Sequence, residues 1–198
     1  MAAAVDALGA DEKYVAQVAR GLRERDLFIR ETKSPRSWRP SPQDAARLIA
    51  AVMTGCPAMH AADRLEALLG ARMASSSWDH AQMLPAWFQK LCPLLFMVRA
   101  DGERSSFVDA IEDVISIALL APDIFDKWNN RFAFELEQNT LSGTFHFNLP
   151  PSTPLVSAEP VANAILHFEP HLDVRPKMQV TAKVEWEHIQ AFAQALSQ

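Results

Sequence analysis

The hydrophobic periodicity of this chain changes near residue 130, and that change limits the folds it can adopt. Before it, apolar residues recur every three or four positions, the spacing of one buried helix face. After it, apolar and polar residues alternate, as at Phe132, Phe134 and Leu136, which indicates strands with one buried face. The sequence therefore predicts an α+β fold: a helical N-terminal two-thirds, then a small antiparallel sheet of about four strands and a C-terminal helix.

Two helix starts carry the residues of a capping box. Ser41 precedes Pro42 and is followed by Asp44, and Ser106 stands in the same relation to Asp109. A serine hydroxyl and a carboxylate three residues later can each accept a hydrogen bond from the other's backbone N–H. We therefore expect helices to begin just after Ser41 and Ser106. Further helices are predicted at about residues 11–25, 59–73, 84–91 and 189–196.

The alternating part of the chain predicts a hairpin and two more strands. The hairpin covers residues 132–149 with its turn at 139–143, and another strand covers 178–186. Residues 161–168 fit a strand or a helix, and we favour a strand. Ser75 to Ser77 are interpreted as a loop. We divide the chain into a mainly helical region, residues 1–130, and residues 131–198, an antiparallel sheet plus terminal helix that pack on the helices as one unit.

Composition excludes several classes of protein. The chain has 198 residues, of which 49% are hydrophobic and 22% charged, as in ordinary globular proteins. Its apolar runs fall far short of the roughly 20 residues of a membrane-spanning helix. Asp6 and Asp11 interrupt the start, which lacks a secretory signal, so we expect a cytoplasmic protein. Cys56 and Cys92, each followed by proline, are typical of small buried thiols rather than of a disulfide scaffold.

The histidines are the candidates for a metal site. His167 and His171 are four residues apart, but Pro170 between them favours a solvated loop over a helix that would align both rings. His146 stands on the polar face of its strand and could meet His167 across the sheet, and the sequence leaves that pairing open. We predict no metal and no cofactor.

Motifs for catalysis are missing as well. The sequence has no glycine-flanked serine elbow, and its six glycines form no phosphate-binding loop. Asp109, Glu112 and Asp113 share one helix, and we interpret them as its solvated surface rather than as a general acid and base. The sequence therefore favours a protein that is not an enzyme.

The charge is unevenly distributed. The formal net charge is −5, yet residues 20–47 hold eight basic residues against four acidic ones. The basic residues are Arg20, Arg23, Arg25, Arg30, Lys33, Arg36, Arg39 and Arg47. This region has the order of a winged helix, which is helix, strand, wing, helix. A helix ends near Leu22, a short apolar run follows at Leu27 to Ile29, then come the basic segment 30–39 and the Ser41 cap. The alternative is a basic loop solvated on a helical domain.

Two blocks in this region carry a family resemblance. They are residues 14–22, YVAQVARGL, and residues 41–49, SPQDAARLI. On these blocks the first quarter of the chain resembles small proteins of prophages and related mobile elements in α-proteobacteria, with a winged-helix-like element at 11–54. About a dozen residues precede Tyr14. These are too few to form the one or two helices that normally come before a recognition helix.

The resemblance implies a non-enzymatic phage-type protein that binds nucleic acid, or regulates, through its basic wing. Arg30, Lys33, Arg36 and Arg39 would then contact phosphates, while Arg20 and Arg23 would approach the groove of DNA. The alternative is a protein-interaction, assembly, immunity or adaptor component with no nucleic-acid contact. The acidic net charge and the five tryptophans favour this alternative. The expected partners are thus DNA, another protein or a second copy, and not a membrane.

Overall fold

The computed structural model describes residues 5, 8–28, 40–78, 105–120, 131–148, 163–169 and 180–197. Within them lie α1 (Glu12–Glu24), α2 (Pro42–Met53), a 3-10 turn (Ala58–His60), α3 (Ala61–Leu69), β1 (Arg72–Trp78), α4 (Phe107–Leu120), β2 (Arg131–Glu137), β3 (Ser142–Asn148), β4 (Asn163–Glu169), β5 (Thr181–Glu185) and α5 (Trp186–Ser197). This order confirms the predicted α+β class. The helix predicted at 84–91, the basic segment 30–39, His171 and Cys92 lie outside the described residues.

The strands form one antiparallel sheet in the order β1-β4-β3-β2-β5. The hairpin predicted at 132–149 is confirmed as β2 and β3, and the strand favoured at 161–168 is confirmed as β4. Between β2 and β3, Gln138 ties the hairpin turn to the helices. Its Nε2 donates a hydrogen bond to the Met53 carbonyl over 3.0 Å, and its own carbonyl accepts one from Arg64 Nη2 over 2.8 Å.

The first strand corrects two predictions. Ser75 to Ser77 lie in β1 rather than in a loop, and the helix predicted to reach Met73 ends at Leu69. In β1, Ser75 is paired with His167 of β4, and the register shifts between Met73 and Ser75. A partner strand about 90 residues away in sequence thus determines the conformation of these serines, and local propensity does not reveal it.

The apolar run after α1 also differs from its prediction. Leu27 and Phe28, expected to begin a strand, are not in one: Phe28 lies in a bend and is buried. Asp26, with φ +56°, turns the chain just before them. Of the predicted winged-helix order, the described residues therefore contain the helices but not this strand.

Both predicted capping boxes are present. At α2, the Ser41 N–H donates to Asp44 Oδ2 over 3.0 Å and the Asp44 N–H donates to Ser41 Oγ over 3.1 Å. At α4 the corresponding bonds between Ser106 and Asp109 are 2.8 and 3.1 Å. Asp109 is only 9% exposed. Our interpretation of Asp109 as solvated helix surface is therefore wrong, since its carboxylate is used to cap the helix.

The core lies between one face of the sheet and the helices. Phe107, the first residue of α4, is fully buried, and its ring meets Phe134 and Phe168 edge-on at centroid distances of 5.8 and 5.6 Å. Phe145 stacks on Phe134 at 4.5 Å. These aromatic contacts join α4 to three adjacent strands. The opposite face of the sheet carries polar side chains of β2 and β3, among them Glu135, Thr144 and His146.

Candidate functional site

The structure places two of the six predicted nucleic-acid-binding residues. Arg20 and Arg23 are exposed on α1, while Arg30, Lys33, Arg36 and Arg39 lie outside the described residues. Arg20 Nε donates to Glu24 Oε1 over 2.7 Å, one helical turn away. The hydrogen bond and the charge of Glu24 raise the pKa of the Arg20 guanidinium further. The Arg20 guanidinium therefore already has an anionic partner on its own helix.

Two more basic residues of the 20–47 stretch have partners inside the protein. Arg25 lies 2.8 Å from Asp63 and 3.9 Å from Glu66, both on α3. Arg47 Nη1 donates to the Leu27 carbonyl over 2.6 Å. Arg25 thus joins α1 to α3, and Arg47 fixes the turn that follows α1 against α2.

The charge around α1 and α3 is nearly balanced. Residues 8–28 and 58–69 contain six acidic and five basic side chains. Proteins bind phosphates through clusters of Lys and Arg whose charge is not neutralised by neighbours. These two helical segments therefore supply no net positive charge of their own.

A groove runs along α1 where the 3-10 turn and the start of α3 approach it. It has a volume of about 360 Å³ and is lined by Gln17, Arg20, Gly21, Glu24, Arg25, Ala58, Met59 and Ala62. We call it the α1 groove. Its volume lies at the small end of the range for ligand pockets. The small residues Gly21, Ala58 and Ala62 leave the space that forms it.

Met59 is the main apolar feature of the α1 groove. Its side chain is 78% exposed, so folding leaves most of its apolar surface in water. Methionine is flexible and polarisable, and it recurs on surfaces that adapt to different protein partners. An exposed methionine beside a groove of small residues can pack on an inserted apolar side chain.

Replacing Gly21 with alanine tests the shape of this groove. A Cβ at Gly21 would lie 3.9 Å from the Ala58 carbonyl oxygen, an ordinary van der Waals distance. Glycine inside a helix costs about 0.5–1 kcal/mol relative to alanine. We expect Gly21→Ala to raise the free energy of unfolding by about that amount. Urea denaturation measures it, and a loss of stability would show that α1 and residue 58 lie closer together.

A tyrosine fixes the chain just before the 3-10 turn. The Tyr14 hydroxyl, on α1, donates a hydrogen bond to the Cys56 carbonyl over 2.9 Å. Burial raises the pKa of the Tyr14 phenol, and the nearby Cys56 thiol raises it further. The neutral phenol is therefore the form that the folded state favours, and it holds one end of the α1 groove in place.

Tyr14→Phe should lower the free energy of unfolding by about 1 kcal/mol at neutral pH, because one hydrogen bond is lost. The pKa of Tyr14 is higher in the folded state than its ordinary value, so the contribution of the neutral phenol is complete below about pH 10 and declines as the pH rises further. Urea denaturation of both proteins at neutral and alkaline pH measures the difference. An unchanged gap between them above pH 10 would contradict the expectation.

The polar face of the sheet carries a second group of charged residues. His146 Nε2 on β3 lies 3.5 Å from Glu135 Oε2 on β2. Lys183 on β5 lies 2.9 Å from Glu185 and 4.0 Å from Glu135. The hydrogen bond to Glu185, with the charges of both glutamates, raises the pKa of Lys183. Glu135 is therefore shared between an imidazole and an ammonium group on its two neighbouring strands.

The histidine pairing left open by the sequence is now defined. His146 is paired with Ile165 and His167 with Thr144, so the two imidazoles are diagonal neighbours on adjacent strands. His146 contacts Glu135 instead. Among the described residues, no group of three or more His, Cys, Asp or Glu side chains is placed to hold a metal ion. Nor does any helix in those ranges combine the length and apolarity needed to cross a bilayer.

Sequence reasoning did not find the α1 groove. The available signal was Gly21, because a glycine inside an otherwise regular helix has no side chain and so leaves space on the surface of the helix. Met59 gave no signal, since it was assigned to the start of a predicted helix.

Comparison of the chain with protein-family models, curated proteins and solved structures finds no match.

Proposed function

We propose that this protein is a non-catalytic protein-binding module and that the α1 groove is its contact surface. The observation that supports this role is Met59, 78% exposed beside an open groove that small residues line together with charged and polar ones. Arg20 and Arg25 at the edge of the groove are already paired with carboxylates. These carboxylates lower the net positive charge that a phosphate would meet, whereas an apolar side chain could enter the groove without breaking either ion pair.

The partner that fits this surface is a protein segment with one apolar side chain flanked by polar ones. Such an anchor would be desolvated by Met59 and the small residues, and the ion pairs would form the polar rim common at interfaces. We place this activity in the cytoplasm, in the adaptor, assembly or immunity role expected for a phage-type accessory protein.

Co-purification from the native host with matched variants tests the proposal. Met59→Glu places a charge beside the groove, and Gly21→Leu fills it. Each variant should reduce the yield of the bound protein at least about tenfold, which is the effect of losing about 1.4 kcal/mol of binding free energy. Val180→Glu, at another exposed apolar residue, serves as the control and should leave the yield unchanged. Equal retention of the partner by all three variants would refute the groove as the contact surface.

A second candidate function is nucleic-acid binding through residues 29–39. This segment has four basic residues and one acidic residue. Its flanking residues are held in place, since Phe28 is buried in the core and Ser41 belongs to a capping box. Anchored ends reduce the conformational entropy lost when the four basic side chains bind phosphates.

Binding of random duplex DNA at low and moderate salt distinguishes the two candidates. If Arg30, Lys33, Arg36 and Arg39 each contact one phosphate, replacing all four with alanine should reduce the slope of log K against log salt by about 3–4. Lys183→Ala, on the sheet, is the control and should leave the slope unchanged. No binding at low salt, or equal binding by the quadruple variant, would eliminate this function.

A further inference from the structure

The two walls of the α1 groove run side by side in the same direction. Near Gly21 the facing wall is residue 58, since a Cβ at Gly21 would lie 3.9 Å from the Ala58 carbonyl oxygen. One turn further along α1, Arg25 Nη2 lies 2.8 Å from Asp63 Oδ1 on α3. The lining residues of α1 span positions 17–25, which is about 12 Å or two turns of helix. The groove is therefore long enough to receive two turns of a partner helix.

The helical walls determine which backbone conformation an occupant gains most from. N–H and C=O groups inside a helix bond to one another, so α1 offers few of them to a segment laid along it. An extended segment would gain little backbone hydrogen bonding there, whereas a helix brings its own. A helix docked in a groove contacts it through apolar side chains at positions i, i+3 or i+4, and i+7. The walls therefore favour an amphipathic helix as the occupant.

The end of the groove near Arg25 carries an excess of negative charge. Here the side chains of Arg20 and Arg25 are paired with three carboxylates, those of Glu24, Asp63 and Glu66. Each of these three carboxylate side chains is half exposed or more. A basic side chain of a partner would therefore meet a net negative charge that it can reach from solvent.

Glu66 is the carboxylate best placed to bind such a side chain. It lies on α3, one turn beyond Ala62, which lines the groove. Its Oε1 is 3.9 Å from Arg25 Nη1, too far for a hydrogen bond, so this contact is electrostatic only. Asp63, in contrast, accepts a hydrogen bond from Arg25 Nη2 over 2.8 Å. A lysine or arginine could thus donate to Glu66 and leave the bond between Arg25 and Asp63 in place.

We propose that the segment bound in the α1 groove is a basic amphipathic helix. Its apolar side chain packs on Met59 and the small residues, and a lysine or arginine one to two turns away binds Glu66. This spacing follows from the walls, since Glu66 is four residues beyond Ala62 and eight beyond Ala58. The formal net charge of −5 also attracts a basic segment. The inference rests on the proposed protein-binding function and adds the conformation and charge of the partner.

Selection from a displayed library of random peptides of about 16 residues, enough for about four turns of helix, tests the proposal. Wild-type protein captures the peptides, after passage over Gly21→Leu has removed those that bind elsewhere. Gly21→Leu fills the groove without changing the charge. Enriched peptides should carry apolar residues at helical spacing, with Lys or Arg one or two turns away. Transferred nuclear Overhauser effects should show a helical backbone in the bound peptide.

A charge exchange identifies the basic contact. Glu66→Lys should weaken binding of an enriched peptide at least about fivefold, because an attraction becomes a repulsion. Changing the basic residue of the peptide to glutamate should restore its affinity for Glu66→Lys. Glu12→Lys, the same change at the exposed start of α1, is the matched control and should leave the affinity unchanged. Fluorescence anisotropy of labelled peptides measures these affinities, and Glu66→Gln, with a smaller expected loss, replaces Glu66→Lys if that variant does not fold.

The possible failures separate this inference from the function on which it rests. Enriched peptides that bind in an extended form, lack a basic residue or bind the Glu66 variants as tightly as wild type would overturn the inference and leave the protein-binding function intact. If wild type enriches no peptide that Gly21→Leu does not also bind, both the inference and the proposed contact surface are refuted.

Discussion

Gly143→Ala should lower the free energy of unfolding by about 3 kcal/mol, the upper end of the range for overpacked cores. A Cβ built at Gly143 would lie only 2.3 Å from a carbon of the Phe107 ring. The ring cannot easily retreat, since Phe134 and Phe168 contact it on either side. Glycine in a strand normally costs about 0.5–1 kcal/mol relative to alanine, so the close contact reverses the usual sign.

A double-mutant cycle with Phe107→Leu checks the cause. Leucine lacks the ring, so the cost of Gly143→Ala should fall by at least about 1 kcal/mol in that background. Urea denaturation of the four proteins gives the coupling free energy. Equal costs in both backgrounds would mean that Gly143 is required for some reason other than its contact with the Phe107 ring.

Gly55→Ala should lower the free energy of unfolding by about 2–3 kcal/mol, from two sources. Gly55 has φ +61°, a left-handed conformation that costs an L-residue about 1–2 kcal/mol. Its added Cβ would also lie 2.3 Å from Gln138 Nε2, the atom that donates to the Met53 carbonyl. Displacing that amide would remove a hydrogen bond worth about 1 kcal/mol.

Gly9→Ala is the matched control for this substitution. Gly9 has nearly the same φ, +57°, but a Cβ there would have nothing within 4 Å. Gly9→Ala should therefore lower the free energy of unfolding only by the cost of the left-handed conformation, about 1–2 kcal/mol. Thermal or urea denaturation of both variants gives the difference. If Gly9→Ala costs as much as Gly55→Ala, the contact with Gln138 contributes nothing.

The sequence predicted those features that depend on near neighbours in the chain. Both capping boxes follow from a serine and an aspartate three residues apart, and the hairpin follows from alternation on either side of a turn. β1 could not be found in this way. Its serines have no strong preference for a strand, and they form one because β4 offers a ladder of backbone partners.

At the candidate sites too, the sequence predicted what depends on near neighbours in the chain and missed what depends on distant residues. Alternation correctly placed His146 on the polar face of its strand, but its contact with Glu135 depends on the register of the hairpin, which pairs His146 with Ala133. The α1 groove needs residues 58–62 to lie beside α1. That arrangement depends on contacts such as the Tyr14 hydroxyl to the Cys56 carbonyl, 42 positions apart. No local pattern encodes a contact of that kind.

The Gln138 contacts couple the two layers of the molecule mechanically. Ala62 of α3 lines the α1 groove, and Arg64, two residues later, donates to the carbonyl of Gln138 in the β2–β3 turn. The Gln138 side chain in turn holds the end of α2 at Met53. A shift of α3 must therefore carry the hairpin with it or break the Arg64 hydrogen bond, so Gln138 transmits to the far side of the sheet a load that residues 70–71 carry from α3 into β1.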